Sequence, residues 1–145
     1  MRIEEIFMKE GGFVKLKGNT KGEILEQMTQ ALYNGGCIQD KDAFMEALYV
    51  RELEGTTSVG EEIAIPHGIS DTVKKTAFVY GYHEEGIFYD AGDDQKTKYF
   101  FGLAIPSDRS GQIELLSELA RKIMQPEFKA KLENVTSAED FLKVL

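Results

Sequence analysis

Cysteine occurs once in this 145-residue chain, tryptophan is absent, and there are only two histidines and three prolines. The single thiol, Cys37, can close no internal disulfide, and His67 and His83 are too far apart for metal-ligand spacing. Neither a disulfide framework nor a metal site fits. Basic residues are also in deficit: 17 Lys and Arg against 25 Asp and Glu leave a formal charge of −8. Nucleic-acid binding rests on cations that displace counterions from phosphates, so no nucleic-acid partner is expected. No apolar run approaches the roughly 18 residues of a membrane helix, and Met1 to Glu5 lacks the basic and then apolar regions of a signal peptide. The expectation is a cytoplasmic protein that does not insert into the membrane. No G-x-x-x-x-G-K-[ST] loop accompanies these features, so no nucleotide is expected.

What is present describes an ordinary globular domain, 42% hydrophobic and 29% charged. Residues 1–145 fit one domain, and a chain of this size buries about 68–70% of its unfolded surface. The N-terminal turn carries Ile3, Ile6 and Phe7, and the alternation of residues 13–17 predicts a half-buried strand. Thr20 and Glu23 have capping-box spacing ahead of a helix with Ile24, Leu25, Met28, Ala31 and Leu32 on one face, stopped by Gly35 and Gly36. Cys37, just past that stop, reads as a packed side chain. Asp40 caps a second helix through about Leu53, with Arg51 near its end and Glu52 free for a local pair.

Residues 76–80 and 98–105 read as central strands, and residues 87–89 as a shorter separate strand. His83 falls in a polar loop, and the acids of residues 90–94 lack the spacing of a calcium loop and read as a solvated turn. Ile113, Leu116, Leu119, Ala120 and Ile123 recur at helical spacing and predict a core-facing stripe. Pro126 opens a short helix to about Leu132. Thr136 with Glu139, or Ser137 with Asp140, caps a last one. Strands interleaved with helices indicate an α/β layered fold.

Residues 63–68, Ile-Ala-Ile-Pro-His-Gly, stand out because an apolar strand ends at a group that can act near neutral pH. Pro66 biases Ile65 towards extended geometry, and Gly68 permits close approaches. A neutral imidazole has an unperturbed pKa of about 6.5 and keeps one free lone pair, which leaves attack on a carbonyl, a phosphoryl group or a metal open. Arg51 is either a cation at a helix C-terminus or a planar donor for phosphate oxygens. The loop of residues 55–60 offers hydroxyls and backbone N–H groups that suit an anion and also suit any turn.

Together, Arg51-Glu52, Thr56-Thr57, Gly60 and residues 63–67 resemble the IIA domains of the fructose/mannitol class (type 2) of the bacterial phosphoenolpyruvate-dependent sugar phosphotransferase system. The resemblance covers nearly the whole chain and implies a small mixed β-sheet flanked by helices. It implies that His67 takes a phosphoryl group from the phosphocarrier protein HPr and passes it to a IIB component for sugar uptake. Arg51 and Thr57 would bind phosphate, and association with a membrane IIC component would run through IIB. A phosphohistidine already carries an activated phosphoryl group, so no cofactor or metal is implied. Two departures stand out. Glu62 replaces a frequent glycine, which puts a negative charge beside the site if it faces that way. The helix after Ser110 often begins with a histidine near the phosphorylated one, and here Gln112 and Glu114 occupy those possible second-site positions. The alternative is a regulatory IIA-like module whose His67 phosphorylation controls a protein partner.

Overall fold

A computed structural model describes residues 2–145. Its elements follow the chain as α1 (Ile3–Ile6), β1 (Phe13–Lys15), α2 (Lys21–Asn34), α3 (Lys41–Leu53), β2 (Ser58–Gly60), β3 (Ile63–Ala64) and β4 (His67–Ile69). They continue as β5 (Ala77–Ile87), β6 (Thr97–Ile105), α4 (Gln112–Ile123), α5 (Pro126–Leu132) and α6 (Ala138–Val144). The capping residues set the helix starts as their chemistry requires. Thr20 accepts from the Glu23 amide, Asp40 from Ala43, and Ser137 from Asp140. Asp140 in turn accepts from the Thr136 amide, which resolves the last cap in favour of Ser137.

The sheet is mixed and ordered β1-β5-β6-β3-β2, with β4 also paired to β6. Long antiparallel β5 and β6 form its centre; β1 runs parallel to β5, β3 and β4 run parallel to β6, and β2 is antiparallel to β3. Alternation along β6 splits the core into two layers. Phe100 and Ala104 face α2 and α3 with Leu25, Met28, Phe44 and Leu48, whereas Tyr99, Phe101, Leu103 and Ile105 face the C-terminal helices with Leu119, Phe128 and Phe141. The sheet is thereby covered on both sides.

Three expectations change. β5 does not end at Tyr80 but continues to Ile87, with its pairing to β6 slipping between Tyr82 and Ile87, so no separate strand covers residues 87–89. His83 consequently lies inside a strand. It is buried, its Nε2–H donates to the Gly18 carbonyl (2.7 Å), and its Nδ1 accepts from the Gly86 amide (2.9 Å). In α4 the buried pair is Leu115 and Leu119, while Ile113 is 77% exposed. The helical period was legible, but the turn before α4 rotates its buried face away from Ile113. Cys37 is buried, as its packing character predicts.

Candidate functional site

Pro66 divides what would be one strand along β6 into two. Ile63 and Ala64 pair with Tyr99 and Phe100, and His67 resumes opposite Leu103. Proline cannot donate to the ladder, but its carbonyl accepts from the Leu103 amide at 2.9 Å, so the break is local. His67 therefore opens a strand and does not end one, contrary to the sequence expectation. Gly68 explains the approach of α3. A Cβ there would lie 3.2 Å from Ala47 Cβ and from Phe44 Cε1, tighter than ordinary contact. Successive strand residues point to opposite sides, so Gly68 seats α3 while His67 and Ile69 line a cleft of about 440 Å³. Val50, Arg51, Arg109 and Gln112 also line it.

The imidazole is held by both nitrogens. Nδ1 lies 2.8 Å from the Ile65 carbonyl oxygen, which can only accept, so Nδ1 carries the proton and Nε2 the lone pair. That lone pair accepts from Arg51 Nε–H at 3.1 Å, and Arg51 Nη1–H donates to the Gly55 carbonyl at 2.8 Å. The sequence left Arg51 a choice between a helix-end cation and a planar donor, and the fork here joins the ring to the following loop. Burial pushes the His67 pKa below the usual histidine value. The Ile65 carbonyl opposes this, Arg51 reinforces it, and Glu52 and Glu54 oppose it without reversing the direction.

A folded-state pKa below the unfolded one means that the unfolded chain binds more protons once the pH falls below about 6.5. The contribution of His67 to stability is thus complete above that pH and is lost as the pH falls through the unfolded value towards the folded one. The expected NMR titration of the His67 ring has its midpoint below that of an unstructured histidine peptide. A midpoint at or above the peptide's would contradict the burial argument.

Behind the cleft, the Glu52 carboxylate is engaged from three directions. It accepts from Lys21 Nζ (2.9 Å), Thr57 Oγ1 and Tyr89 OH (3.0 Å). Lys21 also pairs with Asp90, and Asp90 accepts from Thr56. The network joins α2, α3, the loop before β2 and the segment after β5, so it holds the strip of backbone whose Gly55 carbonyl anchors Arg51. Glu52 is not a local pair, and Asp90 is not a freely solvated turn residue. Thr57, expected to meet phosphate, is buried with its hydroxyl directed to Glu52 and Tyr89 and does not line the cleft.

Gln112 lines the cleft, whereas Glu114 is exposed and does not. Glu62 pairs with Lys129 at 3.0 Å and Lys98 at 3.9 Å and is also absent from the walls, so its charge is directed elsewhere. Arg109 was not anticipated. It lies in a polar turn with no distinguishing motif, and only the return of β6 to α4 brings it opposite α3. Among the described residues no helix is long and apolar enough to cross a membrane.

Comparisons with known proteins agree with this architecture. The family model described as phosphoenolpyruvate-dependent sugar phosphotransferase system, EIIA 2, matches residues 5–145. The chain is 34% identical over 127 residues to the fructose-specific EIIA component of the phosphotransferase system of Haloferax volcanii, covering 87% of this chain and 82% of that one. It is 27% identical over 146 residues to the fructose-specific EIIABC component of Bacillus subtilis, covering 100% of this chain and 23% of the relative. Among solved structures, the nitrogen regulatory protein IIA-Ntr of Neisseria meningitidis superposes with a TM-score of 0.86 at 28% identity, covering 98% and 97% of the two chains.

Proposed function

Because the chain belongs to the EIIA 2 family of the phosphoenolpyruvate-dependent sugar phosphotransferase system, we propose that its phosphoryl group is carried on Nε2 of His67. The observation that carries this reading is the fixed tautomer: Nδ1–H on the Ile65 carbonyl leaves the only ring lone pair at Nε2, facing the cleft. Nε2 attacks the phosphorus of phospho-HPr in line; the new N–P bond forms as the donor's N–P bond breaks, and the electron pair returns to the donor ring. The phosphorylated ring, bearing phosphorus on Nε2 and a proton on Nδ1, carries positive charge that the Ile65 carbonyl dipole stabilises. Arg51 exchanges its bond to Nε2 for bonds to phosphoryl oxygens. Thr57 serves from behind, holding Glu52 and the loop that anchors Arg51.

The acceptor in turn is a IIB component, which supports sugar uptake, with any membrane IIC component reached through IIB. The Bacillus subtilis relative, named as an EIIABC component, supports that order. Exchange with HPr places the protein in the cytoplasm. The test is transfer in both directions: phospho-HPr is expected to load the protein once, and an added IIB domain to discharge it within the same incubation. Loading without discharge to any IIB domain supplied would favour the regulatory reading, which the 28% identity to IIA-Ntr supports. In that case the phosphorylation state of His67 would control binding of a protein partner. Failure to load would overturn both readings.

A further inference from the structure

The turn between β6 and α4 brings a second guanidinium to the cleft. Arg109 lines it together with His67, from the turn ahead of α4 and not from α3. Its backbone is left-handed (φ 62), with its amide donating to the Pro106 carbonyl at 2.8 Å and its carbonyl accepting from Gln112 at 3.2 Å. A tight turn therefore sets where the side chain leaves the backbone. In a chain with 25 acidic residues against 17 basic ones, this guanidinium has no carboxylate within ion-pair distance among the described residues. The other charged residues lining the cleft are Arg51 and Glu46 on α3 and Glu54 at its C-terminal cap.

A phosphoryl group on Nε2 presents three oxygens, and Arg51 approaches from one side only. The opposite side is bounded by Arg109 and the neutral amide of Gln112. Glu46 and Glu54 would repel a dianion, so a single arginine already bonded to the Gly55 carbonyl leaves the site short of positive charge. We propose that Arg109 is a second phosphoryl-binding arginine of this chain, its guanidinium bonding the phosphoryl oxygens on the side of the cleft opposite Arg51. The inference rests on the phosphocarrier reading of His67. Arginine suits the position because its charge persists at any working pH and its fork can bond two oxygens at once.

Phosphoramidate, a small phosphoryl donor, separates this role from docking of a protein donor. Nε2 attacks its phosphorus, the N–P bond to the protonated amine breaks, and ammonia leaves with the electron pair. Intact-mass measurements would follow labelling of the wild type, Arg109→Gln and Arg109→Lys, with peptide mapping of the site. Arg109→Gln is expected to label about 10-fold more slowly, and Arg109→Lys to fall between it and the wild type. Phosphorus NMR of the labelled proteins is expected to place the second ionisation of the phosphoryl group at higher pH in Arg109→Gln, because a nearby cation favours the dianion. Unchanged labelling and an unchanged phosphorus titration in Arg109→Gln would overturn the proposal. So would slowing confined to phospho-HPr, which would make Arg109 a contact with the donor's surface. If the wild type labels at a residue other than His67, the phosphocarrier reading itself falls.

Discussion

His67→Ala is expected to abolish loading from phospho-HPr while the protein stays folded. The side chain lies at the start of an edge segment and is 8% exposed, and its removal leaves the β4 backbone pairing and the Ala47, Phe44 and Gly68 packing untouched. What disappears is the one lone pair that faces the cleft. His83 cannot substitute, since it lies on β5 and both of its nitrogens are engaged, one by the Gly18 carbonyl and one by the Gly86 amide. Loss of the acid-labile label in intact-mass spectra, with the circular dichroism of the wild type retained, is the expected result. Full labelling of the alanine variant would remove His67 from the mechanism.

Arg51→Lys is expected to slow loading about 100-fold, the next largest effect. Two opposing consequences have to be weighed. In the unphosphorylated protein Arg51 occupies the Nε2 lone pair, so removing it frees the nucleophile, a gain on the order of 1 kcal/mol for one hydrogen bond. The same guanidinium then contributes charge-assisted bonds to the phosphoryl oxygens, each worth roughly 1.5–3 kcal/mol, and the second effect wins. Lysine keeps the charge but cannot bond both the Gly55 carbonyl and a phosphoryl oxygen with a rigid fork. Quenched-flow loading rates would decide it: lysine rates equal to arginine's would reduce Arg51 to a cation at the end of α3.

Both results depend on a loop that is held from behind. Gly55 anchors Arg51, and the strip from Thr56 to Thr57 is tied to Asp90 and Glu52, with Lys21 bridging the two acids. Two segments remote in sequence, at Lys21 and at residues 89–90, thus help to set the position of one guanidinium, and the half-buried Lys21 neutralises two acids that would otherwise be uncompensated.

The sequence by itself determined the features that depend on near neighbours. Thr20, Asp40 and Ser137 mark helix starts because a side-chain oxygen meets an amide three residues on, and α2 shows its buried face because helical periodicity repeats within the segment. The central strands were legible from their unbroken apolar runs, and His67 was singled out by its Pro-His-Gly context and by the family resemblance of the residues from Arg51 to His67. The tertiary structure decided whatever depends on chain segments meeting across the sheet. The Nδ1–H tautomer rests on a local turn that only the structure showed, bringing the Ile65 carbonyl onto the His67 ring, whereas the inward orientation of Thr57 follows from Glu52 and Tyr89 arriving from two other parts of the chain. His83 became a strand residue because β5 pairs with β6 on either side of it, at Tyr82 and at Ile87, and Gly18 and Gly86 satisfy its ring nitrogens. Ile113 became exposed because the turn at Arg109 and Gly111, not the helical period, sets the rotation of α4. Local pattern states which residues share a face; only packing against distant partners states which way that face points.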